Sequence, residues 1–151
     1  MATKYHKRIS GPLLDRIDIH MEVPCVDYEK LSGDRVGESS QAIRRRVQAA
    51  RDIQSSRFQG GGSPDMICNA DMRVGEIRQF CRLEDQGQSL MRSAMNQLNL
   101  SARGYHRILK LARTIADLAV SEEIQSAHLA EAMHLRQAKV DDGVSGFLIA
   151  D

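Results

Sequence analysis

The segment from Ser101 to Ala119 constrains the fold of this chain more than any other. It opens with serine, a preferred residue at helix N-caps, and contains no proline. At helical periodicity its basic side chains fall on one side and its apolar side chains on the other. The basic residues are Arg103, Arg107, Lys110 and Arg113, and the apolar residues are Ile108, Ala112, Ile115 and Ala119. We therefore predict a helix with one packed face and one face that presents arginine to an anion.

Composition favours a mainly α fold for the rest of the chain. Hydrophobic residues make up 42% of the 151 residues, which is enough for a core, but aromatic residues make up only 4% and tryptophan is absent. The apolar residues are mostly Leu, Ile, Ala, Val and Met at helical spacing. Since strands favour β-branched and aromatic residues, this pattern predicts helices packed on helices.

Periodicity predicts one strand and four further helices. Apolar and polar residues alternate over residues 17–23 and stop at Pro24, the pattern of a strand with one buried face. Ser39 or Ser40 is expected to cap a helix that ends near Phe58. The residues predicted to face inward on this helix are Ile43, Val47, Ala50 and Ile53. The other predicted helices run from a cap at Asp71 to Cys81, from Gln88 to Leu98, and onward from a cap at Ser126.

Net charge, the length of apolar runs, and the positions of cysteine and histidine exclude several classes of function. The net charge of +1 gives no overall attraction to nucleic acid or to an anionic membrane, so binding of either must come from local patches. No apolar run approaches the ~20 residues that span a bilayer. The three cysteines, Cys25, Cys68 and Cys81, form no C-x-x-C pair and follow no signal peptide, which indicates reduced thiols in a cytoplasmic protein. The five histidines lack metal-ligand spacing, so no metal site is predicted.

The densest run of charge is Arg44-Arg45-Arg46. Three adjacent arginines cannot share one helix face, so we expect at least one to be exposed or paired with a carboxylate. The ordinary interpretation is a solvated surface, and the alternative is contact with DNA phosphates. The candidate DNA-contacting residues are Arg44, Arg45, Arg107 and Lys110, although the last two suit contact with a neighbouring subunit equally well.

Three segments together carry a resemblance to a known family. They are Arg8-Ile-Ser-Gly-Pro-Leu-Leu-Asp-Arg-Ile-Asp-Ile-His20, Gly37-Glu-Ser-Ser40 and Ser101-Ala-Arg-Gly-Tyr-His-Arg-Ile-Leu-Lys110. The chain resembles, from about Tyr5 to about Arg136, the C-terminal part of Mg-chelatase-like AAA+ ATPases of the ComM (competence-associated) type. The resemblance implies that residues 1–36 hold the last core strand and a connection, that residues 37–140 form a helical lid, and that residues 141–151 are an irregular tail.

The nucleotide-binding motifs of that family are missing from this sequence. Its members carry a Walker A loop, a Walker B acidic pair and a sensor asparagine upstream of the matching region. No G-x-x-x-x-G-K-[ST] string occurs here, and the glycines at 60–62 are followed by Ser63 and Pro64, which indicates a loop. We therefore expect a truncated chain that does not hydrolyse ATP alone or carry a bound cofactor. The full-length protein is expected to be an ATPase that uses ATP and Mg²⁺.

The resemblance assigns roles to two arginines. Ser101 and Arg103 lie where a helix N-terminus favours phosphate, and in the family this arginine is the sensor 2 residue that reaches the γ-phosphate, in cis or across a subunit boundary. Arg16 matches the arginine finger, which acts on the ATP of the adjacent subunit. Without the family, Arg103 would be interpreted as a solvated first-turn residue, and Arg16 as an ion-pair partner of Asp15 or Asp18.

Three functions remain open at this level. The first is the lid of a ring-forming AAA+ motor that self-associates and remodels DNA, by analogy with branch migration. The second is the motor subunit of a chelatase that inserts Mg²⁺ into a porphyrin. The third is a helical interaction module without a motor.

Overall fold

The computed structural model describes residues 16–21, 23, 25, 37–59 and 65–136. The described ranges contain five α-helices and one turn of 3-10 helix at Asn69–Asp71. The helices are α1 Ser40–Gln59, α2 Val74–Phe80, α3 Asp85–Leu98, α4 Ala102–Leu118 and α5 Ser126–Arg136. The predicted mainly α class is confirmed.

Helix ends follow the predicted caps at α1 and α4. The Ser39 hydroxyl accepts a hydrogen bond from the Ala42 amide at 3.3 Å, and α1 ends at Gln59, close to the predicted Phe58. The predicted cap at Asp71 is wrong for α2. Its carboxylate accepts the amide hydrogens of residues 67 and 68, just before the 3-10 turn, and α2 begins only at Val74. Ser126 is likewise the first residue of α5 and not its cap.

Helix α4 lies at the centre of the bundle and packs against α5, α1 and α2, while α5 also contacts α3. Ala112 and Ala116 on α4 and Ala132 on α5 are fully buried, and such small side chains let helix backbones approach closely. Larger residues complete the core around them. These are Phe58, Met72, Ile77, Met91, Ile108, Leu109, Ile124, Leu129 and Met133.

The first half of α1 does not pack as predicted. Ile43 and Val47 are 42% and 45% exposed, and the buried residues of this helix begin at Ala50 and continue with Gln54 and Phe58. The apolar residues of α1 do share one face of the helix. Only the C-terminal half of that face, however, packs against the other described helices.

The predicted strand is also absent from the described residues of its range. Residues 17–21 and 23 form no strand, and the His20 amide instead donates to the Leu135 carbonyl at the end of α5, at 2.7 Å. A strand requires a neighbouring strand to satisfy its backbone groups. The β pairing recorded within the described ranges is a single bridge between Leu83 and Ile124. The predicted tail at 141–151 lies outside the described residues.

Candidate functional site

The N-terminus of α4 is organised around Ser101. Its hydroxyl accepts the Gly104 amide at 3.0 Å, and its carbonyl accepts the Tyr105 amide at 3.0 Å. The predicted cap is therefore confirmed. The amides of Ala102 and Arg103 belong to the first turn, whose N–H groups have no acceptor one turn earlier and carry the positive end of the helix dipole. Both residues are exposed. The arrangement offers an anion two backbone donors beside one guanidinium.

Arg103 is available to such an anion. Within the described part of the chain its guanidinium makes no hydrogen bond or ion pair, and the residue is exposed. Arg107, one turn further along α4, is engaged differently. It forms an ion pair with Asp18 at 2.6 Å and donates to the carbonyl oxygen of Arg16.

This contact brings Arg16 to the same end of α4 as Arg103. Arg16 is exposed, and its side chain makes no hydrogen bond or ion pair among the residues that the structure describes. The alternative of an Arg16–Asp18 ion pair is not observed, because Asp18 pairs with Arg107 and with Arg136. The other alternative partner, Asp15, lies outside the described residues.

The end of α5 completes this neighbourhood. Gly104 is buried, and a Cβ atom built on it would lie 3.7 Å from Nη2 of Arg136. The Arg136 side chain is only 8% exposed, and its Nη1 lies 3.5 Å from Asp18. The start of α4, the end of α5 and residues 16–20 therefore meet at one corner of the bundle.

We predicted that Arg113 belongs to the exposed basic face of α4, and that prediction is wrong. This side chain is buried, pairs with Asp117 at 3.0 Å, and donates to the carbonyl oxygens of Ser121 and Glu122. Its buried position faces the chain that leaves α4, so it cannot meet an external anion. Lys110 donates to the Ala70 carbonyl at 2.7 Å. Of the four basic residues on α4, Arg103 alone has no partner in the described ranges.

The arginine run on α1 divides as expected. Arg46 forms two hydrogen bonds with the Glu38 carboxylate, at 3.0 and 3.1 Å. Arg44 and Arg45 are exposed and have no hydrogen-bond or ion-pair partner among the described residues. The DNA-contacting candidates thus fall into two pairs. Arg44 and Arg45 are accessible, whereas Arg107 and Lys110 are held by contacts inside the chain.

Comparison with known proteins identifies the family of this bundle. Residues 37–136, which contain all five helices described above, match the family model described as magnesium chelatase, subunit ChlI C-terminal. The chain belongs to the magnesium chelatase ChlI C-terminal family. Residues 1–31 match a second model, magnesium chelatase, subunit ChlI. Arg16 therefore lies in the range that matches the ChlI model, and Arg103 lies in the range that matches the ChlI C-terminal model.

Individual relatives agree with this membership. The chain is 43% identical over 135 residues to competence protein ComM of Haemophilus influenzae, which covers 88% of this chain and 25% of that protein. It is 41% identical over 134 residues to YifB of Escherichia coli K12 and 36% identical over 134 residues to YifB of Salmonella typhimurium LT2, with the same coverage. The predicted resemblance to ComM-type proteins is confirmed. This chain spans about a quarter of the length of these curated relatives.

A buried polar network that sequence reasoning missed supports the ChlI C-terminal bundle. The Asp117 carboxylate accepts hydrogen bonds from Arg57 at 2.9 and 2.5 Å, from Asn69 at 2.7 Å and from Arg113 at 3.0 Å. Burial alone raises the pKa of Asp117. The hydrogen bonds from Arg57 and Asn69, together with the charges of Arg113 and Arg57, outweigh burial and hold that pKa below its ordinary value. The sequence signal for this network was the i, i+4 spacing of Arg113 and Asp117, which places the two side chains on the same face of a helix.

Two further features of the ChlI C-terminal bundle lie apart from the candidate site. An open groove of about 760 Å³ between α2, α3 and α4 has Ile77, Met91 and Leu109 among its lining residues, with Arg78 and Arg92 beside them. Neither Ser101 nor Arg103 lines it.

Across the described ranges, no three His, Cys, Asp or Glu residues come together as metal ligands, and no helix is long and apolar enough to cross a bilayer.

Proposed function

We propose that this ChlI C-terminal family member is the lid region of a longer, ring-forming AAA+ ATPase that remodels DNA. The observation that carries the proposal is the joint position of Arg16 and Arg103. Both side chains are exposed and make no hydrogen bond or ion pair among the described residues. The Arg107 side chain, one turn from Arg103, donates to the backbone carbonyl of Arg16. Two unneutralised guanidiniums beside a capped helix N-terminus suit a polyphosphate.

Arg103 is the nucleotide-sensing residue in this proposal. Its guanidinium and the first-turn amides of α4 bind the terminal phosphate of ATP, either in the same subunit or across a boundary. Binding there couples the phosphate to the lid, because α4 is the central helix of the bundle. Loss of the phosphate after hydrolysis then releases the lid to move.

Arg16 is the finger in this proposal. Inserted beside the ATP of an adjacent subunit, it would stabilise charge that develops on the transferred phosphoryl group, an effect worth about three to five powers of ten in other NTPases. Self-association into a ring is therefore required for turnover. Mg²⁺ accompanies the nucleotide in this proposal.

DNA is the proposed substrate of the motor. One relative is competence protein ComM, and accessible Arg44 and Arg45 offer phosphate contacts on the exposed half of α1. The test is ATP turnover of the full-length protein without nucleic acid, with single-stranded DNA and with branched DNA, at one salt concentration. Stimulation by DNA supports the proposal. If neither DNA stimulates turnover, the result contradicts DNA as the substrate and favours a chelatase-type or other protein-directed motor.

The two arginines are tested in the same assay. We expect Arg16→Ala to reduce kcat by at least about a hundredfold, and Arg103→Ala to weaken the response to nucleotide. Arg78→Ala is the matched control, because Arg78 is exposed, lies on α2 and has no partner among the described residues. Full turnover in rings made entirely of the Arg16 variant would remove the finger assignment. Unchanged kinetics in the Arg103 variant would remove the sensor assignment.

A further inference from the structure

Among the described residues, hydrogen bonds and ion pairs attach residues 16–20 to the bundle, and two of these contacts meet at Asp18. Its carboxylate faces Arg107 of α4 at 2.6 Å and Arg136 of α5 at 3.5 Å. On one side of Asp18, Arg107 also donates to the carbonyl of Arg16. On the other side, the His20 amide donates to the Leu135 carbonyl. Asp18 therefore lies between the contacts that orient Arg16 and the contact that ties the segment to α5.

These contacts contribute little to the stability of the fold. The Asp18 side chain is 53% exposed, and exposed ion pairs typically stabilise a protein by about 0–1 kcal/mol. The core of α4 and α5 is formed instead by apolar residues such as Ile108 and Leu129. The Arg107 and Arg136 guanidiniums are much less exposed, at 22% and 8% of their side chains. The bundle thus presents two ordered donors to one carboxylate on an otherwise exposed segment.

We propose that Asp18 is a positioning residue that fixes the Arg16 segment to α4 and α5, so that Arg16 and Arg103 move with the lid as one unit. The inference rests on the proposed function. Both guanidiniums contact the same carboxylate oxygen of Asp18, Oδ1. Asparagine has the same shape and can keep an oxygen at that position, but it lacks the negative charge that strengthens both interactions.

The first test examines the attachment itself in the 151-residue chain. We expect Asp18→Asn to speed hydrogen exchange of the His20 amide by about threefold or more, since release of the segment breaks its bond to Leu135. The matched control is Asp52→Asn, because Asp52 is exposed and its hydrogen bond comes from Gln48 on the same helix. Exchange of the buried Leu109 amide should be unchanged in both variants. An unchanged His20 rate in Asp18→Asn overturns the proposal.

The second test examines the consequence for turnover in the full-length ring. A finger acts on the transition state, so Asp18→Asn should lower kcat about tenfold or more while KM for ATP changes by less than about twofold. Asp18→Glu, which keeps the charge, should recover part of the loss. In an Arg16→Ala background, Asp18→Asn should have no further effect, because the group that it positions is already gone.

The outcomes separate this inference from the proposed function. If Arg16→Ala lowers kcat but Asp18→Asn does not, the finger assignment holds and Asp18 is not a positioning residue. If Asp18→Asn lowers kcat further in the Arg16→Ala background, Asp18 acts elsewhere and the inference is wrong. If Arg16→Ala leaves kcat unchanged, the finger assignment fails, and the inference that Asp18 positions a finger is overturned with it. Gel filtration of each variant ensures that the rings compared are assembled.

Discussion

The carboxylate of Asp117 accepts two hydrogen bonds from the guanidinium of Arg57, a residue that lies 60 positions earlier in the chain. The same carboxylate binds Asn69 in the 3-10 turn and Arg113 on its own helix. One buried acceptor therefore joins α1, α4 and the 3-10 turn between them. Arg113 extends the network to the carbonyls that follow α4.

Removal of this acceptor should destabilise the bundle strongly. We expect Asp117→Ala to lower the free energy of unfolding by about 3–5 kcal/mol, because it leaves buried Arg113 without its counter-charge. Denaturant unfolding followed by circular dichroism measures the loss. Asp52→Ala, on the exposed side of α1, should change stability by no more than about 0.5 kcal/mol. A similar small effect at Asp117 would show that the network is not a stabilising one.

Acid should weaken the bundle through the same residue. The pKa of Asp117 is lower in the folded chain than its ordinary value of 3.8, so its stabilising contribution is present above that value. The contribution is lost as the pH falls through the folded pKa. Unfolding free energy measured from neutral pH downward should therefore drop below about pH 4. Asp117→Asn should start less stable at neutral pH and show a shallower decline, whereas parallel curves would assign the acid transition to other carboxylates.

The backbone after α4 contains a residue whose replacement should stabilise the protein. Val120 has φ of 55°, in the left-handed region that usually holds glycine at helix ends, and the Ser121 amide donates to the Ala116 carbonyl across it. Val120→Gly should raise the free energy of unfolding by about 0.5–1 kcal/mol, after the added entropy of glycine in the unfolded chain is subtracted. Ala119→Gly is the control, since Ala119 has φ of −83° and no such strain to relieve. A loss of stability in Val120→Gly equal to that in Ala119→Gly would contradict this account.

The cysteines should differ in reactivity. Burial raises the pKa of the Cys81 thiol to about 11, whereas Cys25 is exposed. With a thiol reagent such as DTNB at pH 8, Cys25 should react about a hundredfold or more faster than Cys81 in the folded chain. Single-cysteine variants allow each rate to be measured separately. Equal rates in denaturant, where burial is removed, would confirm that the difference comes from the fold.

The caps of α1 and α4 and the apolar spacing of the helices were predictable because they depend on neighbours three or four residues away. Ser39 and Ser101 cap their helices through amides three residues later, as serine at those positions indicates. The apolar spacing along α4 likewise identified Ile108 and Ala112 as buried. The family was recognisable for the same reason, since its motifs are short and contiguous in the sequence.

The sequence by itself therefore determined where most helices form, which family the chain belongs to, and that Arg16 and Arg103 are the arginines to examine. Only the tertiary structure decided how much of each helix face is covered and which charged residues are paired. It buries Arg113 against the chain that leaves α4 and leaves Ile43 and Val47 exposed. It also pairs Asp18 with Arg107, 89 positions later. The physical reason is that helix formation is governed by local hydrogen bonds, whereas burial and charge pairing depend on residues that are distant in sequence and adjacent only after packing.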